Sequence, residues 1–221
     1  MLAAAALAVL AAAMAPAGAA DPVPSIFNST EIRKEGLKPF PKWTGALEKY
    51  FAERDGVEGG CEAPKFNRCH YKKWFALLEG LEGKKLKDQL KAVNKKLNSN
   101  KYIVDMINWG VKDYWETPGE FFEKYGDCED YSIAKFLSLR ALGVPAESMR
   151  VVVVKDLNLD VAHAILAVYT PKKVLILDNQ LSIVVEARRI RHYRPIFSVS
   201  ETGWWKHINK KKRKKRKRRS E

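Results

Sequence analysis

At 221 residues the chain suits one domain with a sizeable core, and it shows no internal repeat, which excludes a solenoid. Its net charge of +14 does not describe the fold. The ten residues Lys210 to Arg219 are all Lys or Arg, and removing Lys206 to Glu221 takes away eleven positive charges and one negative, leaving +4. A strongly basic fold is therefore excluded. The basic run repels itself and is expected to be a disordered tail (206–221), suited to an anionic surface such as a membrane or an acidic envelope polymer rather than to a specific nucleic acid.

Residues Met1 to Ala20 are almost wholly Ala, Leu, Val and Met, and they end in Ala-Gly-Ala-Ala before Asp21-Pro22. That is the pattern of a cleavable secretory signal peptide (1–20), so export to the periplasm is expected. The apolar run Leu2 to Ala15 is shorter than the roughly 20 residues that span a bilayer. The usual basic n-region is missing, which leaves an uncleaved anchor as the alternative. The domain proper is expected over 21–205.

Trp43, Leu47, Tyr50 and Phe51 recur at helical spacing after Pro41, and Leu86, Leu90, Val93 and Leu97 do so further on. Between them, Cys61 and Cys69 lie near Gly59-Gly60 and Pro64, a loop-like setting in which a disulfide could form outside the cytoplasm. Cys61, Cys69 and His70 could instead seed a zinc site, but no second ligand pair is nearby. The stretch Tyr102 to Trp115 has apolar residues at mixed spacing. Thr117-Pro118-Gly119-Glu120 then reads as a turn opening a short helix over Phe121 and Phe122.

A further helix starts near Asp127, with Ile133, Phe136, Leu137 and Ala141 on one face and Leu142-Gly143-Val144-Pro145 as its stop. Arg150 to Lys155, Ala162 to Tyr169, Val174 to Leu177 and Ser182 to Glu186 have the length and Val/Ile/Leu content of strands. Helices followed by strands predict an α+β domain whose N-terminal helices pack on an antiparallel sheet.

The chemistry concentrates at Tyr-Gly-Asp-Cys-Glu-Asp-Tyr, residues 125–131. Cys128 would open a helix, where unpaired N–H groups and the helix dipole favour a thiolate. Asp127, Glu129 and Asp130 oppose this by like-charge repulsion, so the cluster suits a nucleophile mainly if a cation neutralises it. Hard carboxylate ligands would suit calcium better than zinc.

A cysteine nucleophile needs a histidine, and the histidine needs a partner to fix its tautomer. Among His70, His163, His192 and His207, only His163 lies on an apolar strand. The link Thr-Pro-Lys-Lys (170–173) reads as a tight hairpin. If Tyr169 pairs with Val174, His163 falls opposite Gln180 and Asp178 lies two residues away on the same face, roughly 7 to 8 Å distant at Cα. Each of these residues also has a structural reading. His163 could be a satisfied strand residue and Asp178 a strand-to-turn residue, and Asp127 with Asp130 forms a capping-box-like pair.

Asp-Tyr-Trp-Glu-Thr-Pro-Gly-Glu-Phe-Phe (113–122), Gly-Asp-Cys-Glu-Asp-Tyr-Ser-Ile-Ala-Lys (126–135), Leu-Gly-Val-Pro (142–145), His-Ala-Ile-Leu (163–166) and Leu-Asp-Asn (177–179) resemble the bacterial transglutaminase-like cysteine proteinases, whose LapG-type members are periplasmic proteases. The resemblance spans roughly Trp43 to Pro195. It implies a papain-like, transglutaminase-like core with Cys128 as nucleophile, His163 as base and later acid, and Asp178 as the orienting carboxylate. It also implies calcium held by Asp127 and Glu129. The implied substrate is a large surface adhesin cut near an Ala-Ala pair, which controls attachment and biofilm. The implied regulator is an inner-membrane cyclic di-GMP receptor. Two alternatives remain at this point: acyl transfer to an amine from the same acyl-enzyme, and a non-catalytic module that binds calcium or a polyanion.

Overall fold

The computed structural model describes residues 25–55 and 68–209. Cys61 and the polybasic run Lys210 to Arg219 lie outside the described residues, as does the side chain of Cys69, and with them the expected disulfide, the zinc alternative and the signal peptide. Six helices are described: α1 (Pro41–Asp55), α2 (Arg68–Glu79), α3 (Leu86–Asn98), α4 (Asp105–Asn108), α5 (Pro118–Lys124) and α6 (Cys128–Ala141). The strands are β1 (Ser29–Lys34), β2 (Met149–Asp156), β3 (Val161–Tyr169), β4 (Val174–Leu177), β5 (Val185–Glu186), β6 (Tyr193–Ser200) and β7 (Gly203–Asn209). They form one antiparallel sheet in the order β1-β7-β6-β2-β3-β4-β5. Among the described residues, no helix is long and apolar enough to cross a membrane.

The sheet is covered on both faces. Val151, Leu166, Val168, Leu177 and Val199 pack against the helices. Val152, Val154, Ile165, Ala167, Val174 and Ile176 face a smaller cluster built on Ile26, Ala187, Ile190 and Tyr193. Double coverage explains why β2 and β3 read as continuous apolar runs rather than as alternating ones.

Helix α6 lies between β3 and the helices α2, α3 and α5. Every residue from Asp130 to Leu139 is buried, so the single apolar face expected of it is replaced by burial all round. Ala141, expected on that face, is instead exposed in the last turn. The stop is the one expected. Gly143 takes φ +88°, its N–H bonds the Arg140 carbonyl, and the Val144 N–H bonds the Leu139 carbonyl, the double bond of a Schellman cap. Thr117 and Glu120 close a capping box on α5.

The C-terminal boundary moves. Lys206 to Asn209, assigned above to the tail, are the last residues of β7, which pairs with β6 on one side and β1 on the other. Alternating burial from Gly203 to His207 gives the reason: Trp205 and His207 point inward while Lys206 points out. His207 sits between Ser29 Oγ (3.0 Å) and Ser198 Oγ (2.9 Å) and ties three strands together. Burial lowers its pKa to about 4. A depressed histidine contributes stability that is complete above the unfolded value near 6.5 and is lost as pH falls toward 4. We expect the melting temperature to fall by on the order of 5 °C over that interval. His207→Gln should remove this part of the acid slope in a pH series of thermal melts; an unchanged slope refutes it.

Candidate active site

The Thr170–Lys173 hairpin sets the register of β3 against β4, with Tyr169 opposite Val174 and Leu166 opposite Leu177. Continued past Leu177, this pairing carries Asp178 to His163. His163 Nε2 and Asp178 Oδ1 are 2.9 Å apart, with exposures of 3 % and 1 %. Asp178 also accepts from the Gln180 N–H (2.9 Å) and from the Tyr193 hydroxyl (2.7 Å). Burial alone raises its pKa, but the bonds from His163, Gln180 and Tyr193 outweigh this and hold the carboxyl below its ordinary range. Asp178 is therefore ionised at neutral pH. With Nε2 committed to Asp178, Nδ1 is the imidazole nitrogen left to act.

Cys128 is the first residue of α6, and its thiol is half-buried and free. Its sulfur lies against the Ala164 backbone N–H, next to His163 in β3. The thiol donates to Glu129 Oε2 at 3.0 Å. Burial pushes its pKa up, and the Glu129 charge and this hydrogen bond push it further, so the bare protein holds a thiol rather than a thiolate. The chain before it is tightly constrained. Tyr125 takes φ +64°, and a Cβ on Gly126 would sit 2.3 Å from Asp130 Oδ2. Asp130 is fully buried and accepts from the backbone N–H groups of Asp127 and Glu116, both at 2.9 Å. Of the three acids around Cys128, Asp130 is thus the structural one.

Asp127 and Glu129 belong to a larger acidic nest that the sequence reading missed. Ligand atoms of Asp105, Asp113 and Glu129 lie within 4.8 Å of one another, and so do those of Asp105, Asp127 and Asp130. Burial and the neighbouring Glu129 raise Asp127 to a pKa of about 8, and burial also raises Asp105. Buried Oδ1 atoms of both Asp105 and Asp127 have no hydrogen-bond partner. Unpartnered hard oxygens on mutually repelling carboxylates fit a calcium-type cation. Asp113 is otherwise engaged, by Lys42 and by Trp115 Nε1 at 2.9 Å. The signal for Asp105 was an acid within the apolar stretch Tyr102 to Trp115. It is the first residue of α4 and 1 % exposed.

Three further residues near the site went unread. Tyr193 reaches Asp178 from β6, a strand the sequence reading did not predict. Glu116, raised to about 8 by burial, accepts from Trp109 Nε1 at 2.6 Å. Lys135 is fully buried on α6 with no hydrogen-bond partner among the described residues, and burial lowers it to about 7 against the pull of Asp178. Trp115 is a core residue, set edge-on to Trp43. Of the remaining histidines, His192 packs on Tyr193, and His207 is the strand clip described above.

Residues 62–213 match the sequence model of the bacterial transglutaminase-like cysteine proteinases. Legionella pneumophila LapG superposes with a TM-score of 0.57 at 32 % identity, over 73 % of this chain and 87 % of that one. Its calcium-bound form gives 0.58 over the same shares, and its EGTA-treated form 0.57 over 73 % and 84 %. No curated protein matches the chain. The family match sets aside the non-catalytic module, and the α+β architecture is that of the LapG fold. The chain belongs to the bacterial transglutaminase-like cysteine proteinases and is a cysteine peptidase.

Proposed function

We propose that this peptidase is a calcium-dependent endopeptidase of the periplasm, with Cys128 as nucleophile, His163 as general base and acid, and Asp178 as the group that orients and charges the imidazole. The observation that carries this reading is the buried 2.9 Å contact between His163 Nε2 and Asp178 Oδ1, on the strand that also lies against the Cys128 sulfur.

In the reaction the Cys128 sulfur bonds to the peptide carbonyl carbon as its proton passes to His163 Nδ1. The imidazolium, stabilised by Asp178, then gives that proton to the departing amine. Water, deprotonated by His163, releases the acyl group and regenerates the thiol. The Cys128 N–H has no acceptor within its own helix and suits the developing oxyanion. Asp105, Asp127 and Glu129 would hold calcium, which supplies the positive charge that offsets the carboxylates raising the thiol. The calcium-bound and EGTA-treated forms of Legionella LapG support this part of the reading.

Similarity to LapG-type proteases further supports a large surface adhesin, cut near an Ala-Ala pair, as the substrate. It supports an inner-membrane cyclic di-GMP receptor as the regulator and export by the N-terminal segment as the route to both. The first test needs no substrate: the iodoacetamide labelling rate of Cys128 by peptide mass spectrometry between about pH 5 and 9, with calcium or with EGTA. Fast labelling well below a free thiol's pKa of about 8.5, abolished by EGTA, is the expected result. A thiol inert until about pH 8.5 in both conditions overturns the calcium-activated nucleophile.

A further inference from the structure

A cavity of about 1120 Å³ opens among the segment after Ser25, the β2–β3 turn and the segment leading into β6. None of Cys128, His163 or Asp178 lines it. Arg188, Arg191 and Arg194 do, together with the apolar side chains of Phe27, Leu157 and Ile190, and among the described residues no lining side chain is a carboxylate. All three arginines are exposed. Among the described residues, Arg191 and Arg194 make no ion pair, while Arg188 pairs at the surface with Glu186 (2.5 Å), a contact that water screens. Asn209 also lines the cavity, and the next ten residues of the sequence, Lys210 to Arg219, are all basic.

We propose that this cavity is a docking site for the phosphate headgroup of an anionic lipid, which holds the peptidase on a membrane surface. Guanidinium groups present paired donors to phosphate oxygens, and Arg191 and Arg194, which have no acid partner among the described residues, form an anion site with Arg188 beside them. Two features favour a lipid over free phosphate. The volume is far larger than one phosphate needs, and the walls combine basic with apolar side chains, as an amphiphile requires. The basic run that continues from Asn209 adds attraction to the same negative surface.

The test is co-sedimentation of the full-length chain with vesicles of phosphatidylcholine alone or mixed with phosphatidylglycerol, at low and high salt. Binding is expected to the mixed vesicles only and to weaken with salt. Each basic residue near such a surface is worth about fivefold, so the combined Arg188→Gln, Arg191→Gln and Arg194→Gln variant should bind on the order of 100-fold more weakly. Its Cys128 labelling should match that of the unaltered chain. If the triple variant does not fold, Arg191→Gln and Arg194→Gln singly should each lose about fivefold.

Undiminished vesicle binding by these variants, with loss only when Lys210 to Arg219 are replaced by Gln, assigns the attraction to the tail and overturns the site. Failure of the unaltered chain to bind the mixed vesicles overturns it as well. So does a thermal shift with inorganic phosphate that disappears in the triple variant while no vesicle binding is seen, which would assign free phosphate.

Discussion

Cys128→Ala is expected to reduce peptide hydrolysis by roughly 10⁶-fold, the scale seen when the nucleophile of a triad is removed. Asp178→Asn should cost on the order of 10⁴-fold, because an amide can donate to Nε2 and fix the wrong tautomer. The geometry sharpens the second expectation. Asp178 Oδ1 meets His163 and Oδ2 meets Tyr193, so the substitution exchanges an acceptor for a donor at a site with 1 % exposure. Tyr193→Phe removes only the second bond and should reduce turnover far less, with His163 still held. Steady-state rates on a peptide carrying the proposed Ala-Ala site, with thermal melts as a control for folding, separate these cases. Cys128→Ala is a small change at a half-buried position and should melt like the unaltered chain. Cleavage that persists in it would falsify the mechanism.

Removal of calcium is expected to have the next largest effect. In the bare protein burial and Glu129 hold the Cys128 thiol protonated, and Asp127 shares its surroundings with Asp105 and Glu129. EGTA should therefore lower activity by on the order of 100-fold, since a thiol pKa about two units above the working pH leaves only about one-hundredth of the cysteine as thiolate. Asp127→Ala and Glu129→Ala should show this low activity with or without calcium. The two differ in labelling. Glu129→Ala removes the nearest charge and the acceptor of the thiol, so under EGTA its Cys128 should react faster than that of the unaltered chain.

The sign with pH also follows. At the proposed site calcium would displace the proton that burial and Glu129 keep on Asp127 up to about pH 8, so binding is expected to release a proton and the apparent affinity to fall as pH drops below that value. Isothermal titration in buffers of different ionisation enthalpy measures that proton. Activity indifferent to EGTA at every pH would refute the calcium site.

How far these features were legible in the sequence depends on how local their causes are. The α6 stop at Gly143, the short helix opened at Thr117-Pro118 and the placement of α1 and α3 follow from a few adjacent residues, and the structure has them. Leu90, Val93 and Leu97 mark α3 because one face of it meets the core while the other meets water, and Leu86, expected on the same face, is exposed in its first turn. The register of β3 on β4 was also readable, because a short hairpin leaves few ways to pair two strands, and it brought His163 to Asp178.

The misses have the opposite cause. Helix α2 went unassigned, with only Cys69 in its first turn read as loop-like, and the strand expected over Ser182 to Glu186 shrinks to Val185–Glu186. Strands β1, β6 and β7 went unseen because they carry Lys, Arg, Ser and Pro among their apolar residues. They hold their place by pairing with partners far away in the chain, β1 with β7 most of all.

The sequence by itself therefore determined the α+β plan, the helix start at Cys128, and the hairpin that joins His163 to Asp178. Each rests on spacing or capping within a short stretch of chain. Only the tertiary structure decided that Asp105 joins the acidic nest, that Tyr193 completes the shell of Asp178, and that three arginines line one cavity. These depend on which distant segments the buried sheet brings side by side, and no local pattern encodes a contact whose two halves lie on separate strands.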